Sequence, residues 1–376
     1  MQFIFGGKLM SELNRAREII NNVDKQMAEL FQQRMEACKI VAAYKKENGV
    51  AIRDKFREEA LINSTKKNIT DPEIESYYVQ FIQKCIDLSC DMQAKILSGM
   101  KVAFCGVEGA YAHIAAKKMF PTAQLVALPD FETVYREVEA GKYDCCVLPM
   151  ENSYAGEVGP VMDLIFNGSL YVNQVLDLPI SHNLMAVKGA NIKDIKKVIS
   201  HPQALAQCAK YIKEKQLEEE PYSNTAVAAK FVKEKGDKSV AAIASEDTAE
   251  LFDLEILEKA INDNKNNTTR FAVLSRVQNK PAPKPNQEDE HFILVFTVKN
   301  EAGALAQTLN IIGAHGFNMR NLRSRPMKDL NWSYYFYIEA DGDVNTENGQ
   351  DMLKELAVFC AKLKLVGSYY ELNTKQ

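Results

Sequence analysis

The chain has 376 residues, of which 46% are hydrophobic and 26% are charged, as in a folded protein with several hydrophobic cores. At about 150 residues per domain, this length predicts two or three domains. The 46 Lys and Arg residues nearly balance the 50 Asp and Glu residues, which excludes a strongly basic nucleic-acid-binding protein. No apolar run reaches the ~18 residues needed to span a bilayer, so we expect no membrane partner.

Eight cysteines are scattered along the chain, and several lie in apolar runs. They form no C-x-x-C pair and no Cys/His spacing typical of zinc, so we expect no metal site. Reduced, buried thiols indicate a cytoplasmic protein. The N-terminus lacks the basic region of a signal peptide, and Met10 is a second candidate start, with Ser11 opening the first helix.

Three kinds of sequence follow one another. Residues 11–98 contain one glycine and one proline, which predicts helix almost throughout, beginning with a helix of about 35 residues. Residues 101–278 alternate strand-like and helical segments, which predicts an α/β domain with a mostly parallel sheet. Residues 279–290 (NKPAPKPNQEDE) are typical of a solvated linker, and the remainder has the β-α-β-β-α-β order of a ferredoxin-like α+β sandwich. The expected parts are therefore a helical domain at 1–98, an α/β domain at 101–278, a linker at 279–290 and an α+β domain at 291–376.

The apolar stripe of the first helix is interrupted by two cations. Its three- and four-residue steps lead to Arg34 and then Lys45, about 16 Å apart on one face. One interpretation is that both converge on a ligand, and the other is that they form structural ion pairs with Asp54 and Glu58.

The complete set of polar positions resembles the active-site pattern of the all-helical class of chorismate mutase. The matching residues are Arg17, Arg34, Lys45, Asp54, Arg57, Glu58, Ser89 and Gln93. The resemblance implies a three-helix domain that rearranges the dianion chorismate by positioning and electrostatics, without a cofactor. It implies that Lys45 and Gln93 donate to the breaking ether oxygen and that Glu58 accepts from the ring hydroxyl. The other five residues would hold the substrate.

Arg17 precedes Arg34 by seventeen residues, or about 25 Å along a straight helix. A small ligand cannot contact both side chains from one helix. If both bind substrate, Arg17 must reach into the site of a second copy, so we expect a homodimer or a higher homo-oligomer.

Polar residues of the α/β segment cluster at strand ends, where open α/β folds bind ligands. Each alone is typical of a helix N-cap. Together the runs PMENS (149–153), SHPQALAQC (200–208) and TRF (269–271) resemble prephenate dehydratase. The resemblance implies a two-lobed domain, similar to periplasmic binding proteins, that holds prephenate in its cleft. It implies Thr269 as the catalytic donor and a substrate-binding set consisting of Asn152, Ser153, Thr225, Arg270 and Phe271.

That reaction removes CO2 and the C4 hydroxyl, so a donor to the departing hydroxyl is sufficient and no cofactor is needed. Arg270 has a second interpretation as a structural ion pair. The loop Gly109–His113 lacks the two hydroxyls that the family often has there, so we assign it no catalytic role and expect a structural role for His113.

The last segment resembles an ACT domain, an amino-acid-sensing module. The resemblance implies an effector site formed by a glycine-led turn and a second signature. The turn contains Gly303, Ala304, Leu305 and Ala306, and the second signature contains Asn318, Ser324 and Arg325. Arg323 stands where the family usually has Glu. Phenylalanine is the expected allosteric effector, and the alternative is that this domain only dimerises.

The whole chain thus resembles bifunctional chorismate mutase/prephenate dehydratases of phenylalanine biosynthesis. Two alternatives are a monofunctional dehydratase with an inactive helical dimerisation domain and a non-enzymatic small-molecule sensor. The complete polar set at 17–93 and the TRF triplet argue against them.

Overall fold

The computed structural model describes residues 3–48, 53–278, 290–327 and 334–372. It divides into two compact units, one up to Met100 and one from Lys101. None of the described helices is long and apolar enough to cross a membrane.

The first unit consists of three helices, α1 (Phe3–Asn48), α2 (Lys55–Thr65) and α3 (Pro72–Ser98), with one 3-10 turn at Lys66–Asn68. Asp54 caps α2 by accepting from the Arg57 backbone N–H at 3.1 Å, and Asp71 caps α3 ahead of a proline at the first helical position.

Helix α1 has 46 residues, about 69 Å, so it begins well before Ser11 and exceeds the expected 35 residues. Its apolar stripe remains exposed in the single chain. Ile20 is 56% exposed and Leu30 is 62% exposed. The two shorter helices therefore leave much of α1 uncovered.

The second unit begins with an α/β part of eleven strands and seven helices. The strands are β1 (Lys101–Cys105), β2 (Gln124–Leu128), β3 (Cys145–Asn152), β4 (Gly156–Glu157), β5 (Tyr171–Pro179), β6 (Asn183–Ala186), β7 (Lys197–Ser200), β8 (Glu218–Pro221), β9 (Val240–Ala244), β10 (Glu255–Glu258) and β11 (Thr268–Ser275). The helices are α4 (Tyr111–Met119), α5 (Phe131–Glu139), α6 (Gly159–Asn167), α7 (Pro202–Gln207), α8 (Ala209–Glu214), α9 (Thr225–Lys235) and α10 (Glu246–Leu251).

These strands form two lobes. The second lobe is a five-stranded sheet of order β10-β6-β9-β7-β8, and the first lobe holds β1 to β5 and β11. Strand β11 returns from the second lobe and pairs antiparallel with both β3 and β5, while β1 is parallel to β2 and β3. The expectation of a mostly parallel sheet is therefore wrong, because the returning chain enters the first sheet in the opposite direction.

The C-terminal domain follows the predicted β-α-β-β-α-β order. Its elements are β12 (Glu290–Val298), α11 (Ala304–Ala314), β13 (Met319–Pro326), β14 (Tyr334–Asp341), α12 (Glu347–Phe359) and β15 (Cys360–Leu372). The antiparallel sheet order, β13-β14-β12-β15, is that of a ferredoxin-like sandwich. Residues 279–289 of the expected linker lie outside the described residues.

The C-terminal sheet continues into the first lobe. Strand β15 pairs parallel with β5, giving one ten-stranded sheet. A Cβ at Gly367 would lie 1.9 Å from the Val172 carbonyl oxygen, so only glycine permits this approach. Phe166 of α6 stacks on Tyr335 of β14 with ring centroids 4.1 Å apart, and both belong to one buried cluster. The C-terminal domain therefore shares a hydrophobic core with the first lobe.

Candidate active sites

The three helices of the first unit enclose a cavity of about 290 Å³, the helical cavity. Arg17 is exposed on α1 and does not line it. The cavity brings together the other expected polar residues, namely Arg34, Lys45, Asp54, Arg57, Glu58, Ser89 and Gln93.

Arg34 is oriented by α3. Its Nη1 donates to the Cys85 carbonyl oxygen at 2.8 Å and to the Ser89 hydroxyl, which in turn donates to the Cys85 carbonyl at 2.8 Å. These partners are neutral, so the positive charge of Arg34 stays available to an anion in the cavity.

Glu58 is paired by a residue that sequence reasoning missed. Arg53, just before α2, places Nη1 3.6 Å from Glu58 Oε2 and Nη2 2.6 Å from Asp87 Oδ1. The hydrogen bond from Arg53 holds the pKa of Asp87 below its usual range. Arg53 thus ties α2 to α3 and orients the Glu58 carboxylate. In the sequence, only the position of Arg53 next to Asp54 indicated that it lies near the helical cavity.

Gln93 is 6% exposed, and its Oε1 has no hydrogen-bond partner within the described part of the chain. A buried amide oxygen without a partner is costly. A ligand in the helical cavity that offers a donor would remove this cost.

A second cavity, also of about 290 Å³, lies between the two lobes of the α/β part. Strand ends and helix starts from both lobes line this interlobe cavity. Of the residues expected to act on or hold substrate, it brings together Asn152, Thr225, Thr269 and Phe271.

The orientation of the Asn152 side chain is fixed by backbone contacts. Its Oδ1 accepts from the N–H groups of Tyr154 at 3.0 Å and Ala155 at 2.9 Å. Its Nδ2 therefore faces Thr269 and donates to the hydroxyl oxygen at 2.8 Å. Since Thr269 accepts this bond, its own hydroxyl proton is left for an acceptor in the cavity.

The hydrogen bonds continue from Asn152 into the second lobe. Asn152 Nδ2 donates to Asn267 Oδ1 at 2.9 Å, and Asn267 Nδ2 donates to Gln207 Oε1 at 3.0 Å. The ring Nε2 of His182 lies 2.8 Å from the same Gln207 oxygen, and Tyr111 lies 3.2 Å from the other ring nitrogen.

Sequence reasoning assigned no role to these four continuing residues. Gln207 belongs to the run at 200–208, and Asn267 lies two residues before the TRF triplet. Tyr111 lies in the Gly109–His113 loop, to which we assigned no catalytic role. His113 of that loop accepts from the Gly109 N–H at 3.1 Å, which agrees with a structural role.

In the part of the chain that the structure describes, the interlobe cavity is lined by helix starts and by no formal cation. Its lining includes the starts of α4, α7 and α9, and no lysine or arginine among the described residues. Burial lowers the pKa of His182 and of His201, so both are neutral at pH 7. Backbone N–H groups at helix starts favour anions, so this cavity can take carboxylates.

Comparison with known proteins identifies two domains of the chain. Residues 16–94 match the family model of chorismate mutase type II, and residues 102–279 match that of prephenate dehydratase. A bifunctional chorismate mutase/prephenate dehydratase of Buchnera aphidicola subsp. Acyrthosiphon pisum (strain APS) is 31% identical over 368 residues, 94% of this chain and 95% of the relative. This chain belongs to the bifunctional chorismate mutase/prephenate dehydratase family.

Other similar proteins include a second bifunctional enzyme, a prephenate dehydratase and a protein described as an acylase. The bifunctional enzyme of Aquifex aeolicus (strain VF5) is 29% identical and covers 96% of this chain and 98% of its own length. A structure of prephenate dehydratase from Arthrobacter aurescens in complex with L-Phe is 28% identical, with a TM-score of 0.66 over 74% of this chain and 91% of that one. GqqA, described as a novel type of quorum quenching acylase, has the same TM-score of 0.66 at 29% identity, over 73% of this chain and 100% of that one. The chain is an enzyme of phenylalanine biosynthesis with a chorismate mutase domain and a prephenate dehydratase domain.

Two residues expected to bind substrate in the dehydratase domain lie outside the interlobe cavity. Ser153 is exposed, and its hydroxyl accepts from the Thr268 N–H at 2.9 Å, so it secures the start of β11. Arg270 faces Asp177, with Nε 2.9 Å from Oδ1, and Glu339 of the C-terminal domain, with Nη1 3.1 Å from the carboxylate. The expectation that Arg270 binds substrate is corrected by this placement, because neighbouring strand residues face opposite sides of the sheet. Its alternative interpretation as a structural ion pair fits instead.

The C-terminal domain has a cavity of about 320 Å³ beside the start of α11. Of the residues expected to bind effector, only Leu305 lines it. Gly303 caps α11 with φ of 85°, a conformation that favours glycine, and Ala304 and Ala306 follow in the first turn. The other lining residues include Lys299, Tyr334 and Phe336.

The residues of the second expected effector signature do not line this cavity. Asn318 donates to the Asp341 carboxylate at 2.8 Å, and Ser324 is exposed on β13. Arg325 pairs with Glu157 and with Asp163, the latter at 3.2 Å, both in the dehydratase domain. The expectation that Arg325 binds effector is corrected by this placement. Side chains alternate along β13, and that of Arg325 faces the first lobe.

Proposed function

We propose that the helical cavity binds chorismate and that Lys45 and Gln93 donate to its ether oxygen as the C–O bond breaks. Charge develops on that oxygen in the transition state, so oriented donors lower the barrier more than they stabilise the substrate. Arg34 and Arg57 hold carboxylates, while Glu58 accepts from the ring hydroxyl. The shared lining of these residues in one cavity supports this assignment.

The dehydratase reaction is proposed to proceed in the interlobe cavity with Thr269 as donor. Prephenate loses CO2, and the electron pair of the broken C–C bond enters the ring as the C4–O bond breaks. The departing hydroxyl takes one proton from solvent and leaves as water. The Thr269 hydroxyl hydrogen-bonds to that departing oxygen, and the helix starts hold the carboxylates. The observation that carries this proposal is the 2.8 Å bond from Asn152, which orients the Thr269 hydroxyl as a donor.

The test is to supply purified protein with chorismate and to follow phenylpyruvate by its absorbance in alkali. Formation of phenylpyruvate requires both sites, and accumulation of prephenate would reject the dehydratase assignment. Arogenate is the competing substrate, since an Arabidopsis thaliana relative that is 33% identical is an arogenate dehydratase/prephenate dehydratase. We propose prephenate. Arogenate keeps its amino group and would give phenylalanine, so its turnover is followed by phenylalanine release, and a larger kcat/KM for arogenate would overturn that choice.

We further propose that the C-terminal domain is an ACT domain that binds phenylalanine and inhibits the dehydratase. The ferredoxin-like strand order, the glycine-led start of α11 and the cavity beside Leu305 support it, with Tyr334 and Phe336 able to contact an aromatic side chain. A relative of known structure was solved in complex with L-Phe. Calorimetric titration with phenylalanine tests the proposal, and no binding at millimolar ligand would reject it.

The active assembly is proposed to be at least a homodimer. The exposed apolar stripe of α1 and the absence of Arg17 from its own chain's cavity lining support a second copy packed along α1. No disulfide joins the eight cysteines, all within the described ranges, which supports a reducing, cytoplasmic location.

A further inference from the structure

The two catalytic strands of the dehydratase domain carry a second residue pair directly behind the first. Thr269 is the register partner of Asn152, and Arg270 is the register partner of Glu151. Thr269 and Asn152 line the interlobe cavity, whereas Arg270 and Glu151 face the C-terminal domain on the opposite side of the sheet.

Each member of this second pair meets an opposite charge from the C-terminal domain. Arg270 Nη1 lies 3.1 Å from both carboxylate oxygens of Glu339, whose side chain is 2% exposed. Glu151 Oε1 lies 2.5 Å from Arg323 Nη2, with side chains 31% and 22% exposed. Partial burial makes these attractions stronger than those of exposed ion pairs.

The end of β3 that carries Asn152 pairs with β4 and β11, but its ladder with β11 is irregular. The register between β3 and β11 shifts between Arg270 and Phe271, which leaves Met150 as the extra residue of a bulge. A bulge interrupts the ladder and changes the direction of side chains near active sites. Contacts from outside the ladder therefore contribute to the position of Glu151 and Asn152.

We propose that Arg323 is a positioning residue for the dehydratase reaction, acting through Glu151 on the strand end that holds Asn152. The guanidinium anchors Glu151 from behind, and Asn152 in turn orients the Thr269 hydroxyl. A glutamate at position 323, which the ACT resemblance would lead one to expect, would instead repel Glu151. The inference rests on the proposed role of Thr269 and adds to it a residue from another domain.

The experiment compares full-length variants in turnover of supplied prephenate. Arg323→Gln is expected to lower kcat about 10-fold with KM within about 2-fold, because small displacements of reacting groups lower rate more than binding. Arg323→Lys retains the charge and should lose only about 3-fold. The matched control is Arg320→Gln on the same strand, since Arg320 pairs with Asp341 inside the C-terminal domain, and its kcat should stay near that of the wild type.

Epistasis shows whether Arg323 acts through Glu151. In a Glu151→Gln background, Arg323→Gln should cause no further loss, and a full multiplicative loss would overturn the proposal. If Arg323→Gln fails to fold, as judged by mutase turnover and thermal unfolding, the same comparison is made with Arg323→Lys.

Unchanged kcat in Arg323→Gln, or an equal loss in Arg320→Gln, would likewise overturn it. A different result would reject the proposed role of Thr269, namely conversion of prephenate by Thr269→Val at the wild-type rate.

Discussion

The Asn152 amide nitrogen lies 2.8 Å from the Thr269 hydroxyl oxygen, and two backbone N–H groups hold the other end of that amide. The hydrogen bond therefore runs from Asn152 to the Thr269 oxygen, which leaves the Thr269 hydroxyl proton for another acceptor.

Asn152→Asp should lower the dehydratase kcat by about 10²-fold or more, the scale of losing one oriented donor. A carboxylate at this position only accepts, so it would take the Thr269 proton away from the substrate. Steady-state turnover of prephenate measures the effect. Thr269→Ser is the matched control and should retain most activity, whereas equal losses in Thr269→Ser and Thr269→Val would contradict a donor role.

Lys45→Ala should lower the mutase kcat by roughly 10²-fold or more while turnover of supplied prephenate persists. The reason is that Lys45 lines the helical cavity, where it is the proposed donor to the ether oxygen. Chorismate disappearance gives the mutase rate. A near-normal mutase rate in this variant would remove Lys45 from the catalytic set.

Gln93→Glu should make the mutase rate depend on pH. The neutral amide donates at any pH, so the wild-type rate should vary little between mildly acidic and neutral conditions. A carboxylic acid donates only when protonated, so the variant should lose rate as pH rises through the pKa of the introduced glutamate. A variant profile as flat as that of the wild type would argue against donation by Gln93.

Arg17→Ala and Arg34→Ala should each abolish most mutase activity, and co-refolding the two proteins should restore part of it. In the proposed dimer Arg17 serves the partner's site, so a heterodimer contains one site with both arginines and one with neither. The readout is mutase rate per heterodimer separated by differential tagging. Heterodimers that stay inactive would show that Arg17 does not act across the interface.

Arg270→Met should lower the free energy of unfolding by about 3–5 kcal/mol, because it leaves a buried Glu339 without its cation. Adding Glu339→Gln should recover part of the loss, since the uncompensated charge is then removed. Denaturant unfolding measures both variants. Equal stability of the single and double variants would mean that the charge of Glu339 is not the cause.

Lys364 links pH to stability at the contact between β15 and α6. Its Nζ donates to the carbonyl oxygens of Ile165 at 2.8 Å and Gly168 at 2.6 Å, and burial lowers its pKa to about 8. The folded state then binds fewer protons than the unfolded state above about pH 8, so the stability contribution of Lys364 rises with pH between about 8 and 10.5. The unfolding free energy of the wild type minus that of Lys364→Gln should therefore rise with pH over this range. A difference that stays constant would contradict the lowered pKa.

The sequence by itself determined the order of elements and the two chemistries. Hydrophobic periodicity and turn residues are local signals, so the helical segment at 11–98, the alternation of strands and helices at 101–278 and the β-α-β-β-α-β order of the C-terminal domain were readable from it. The polar residues of the helical cavity were readable for the same reason, because fixed helical spacing places them on one face.

Only the tertiary structure decided which polar residues face the interlobe cavity and which face a neighbouring domain. Thr269 and Arg270 are adjacent in sequence, yet one lines the cavity and the other pairs with Glu339. Side-chain alternation is predictable, but its phase depends on a bulge in β3 and on the C-terminal domain that packs behind it. The same physical reason explains why the sequence did not reveal Arg53 or the hydrogen-bonded residues Asn267, Gln207 and His182. Their partners are distant in sequence and meet only after the elements pack.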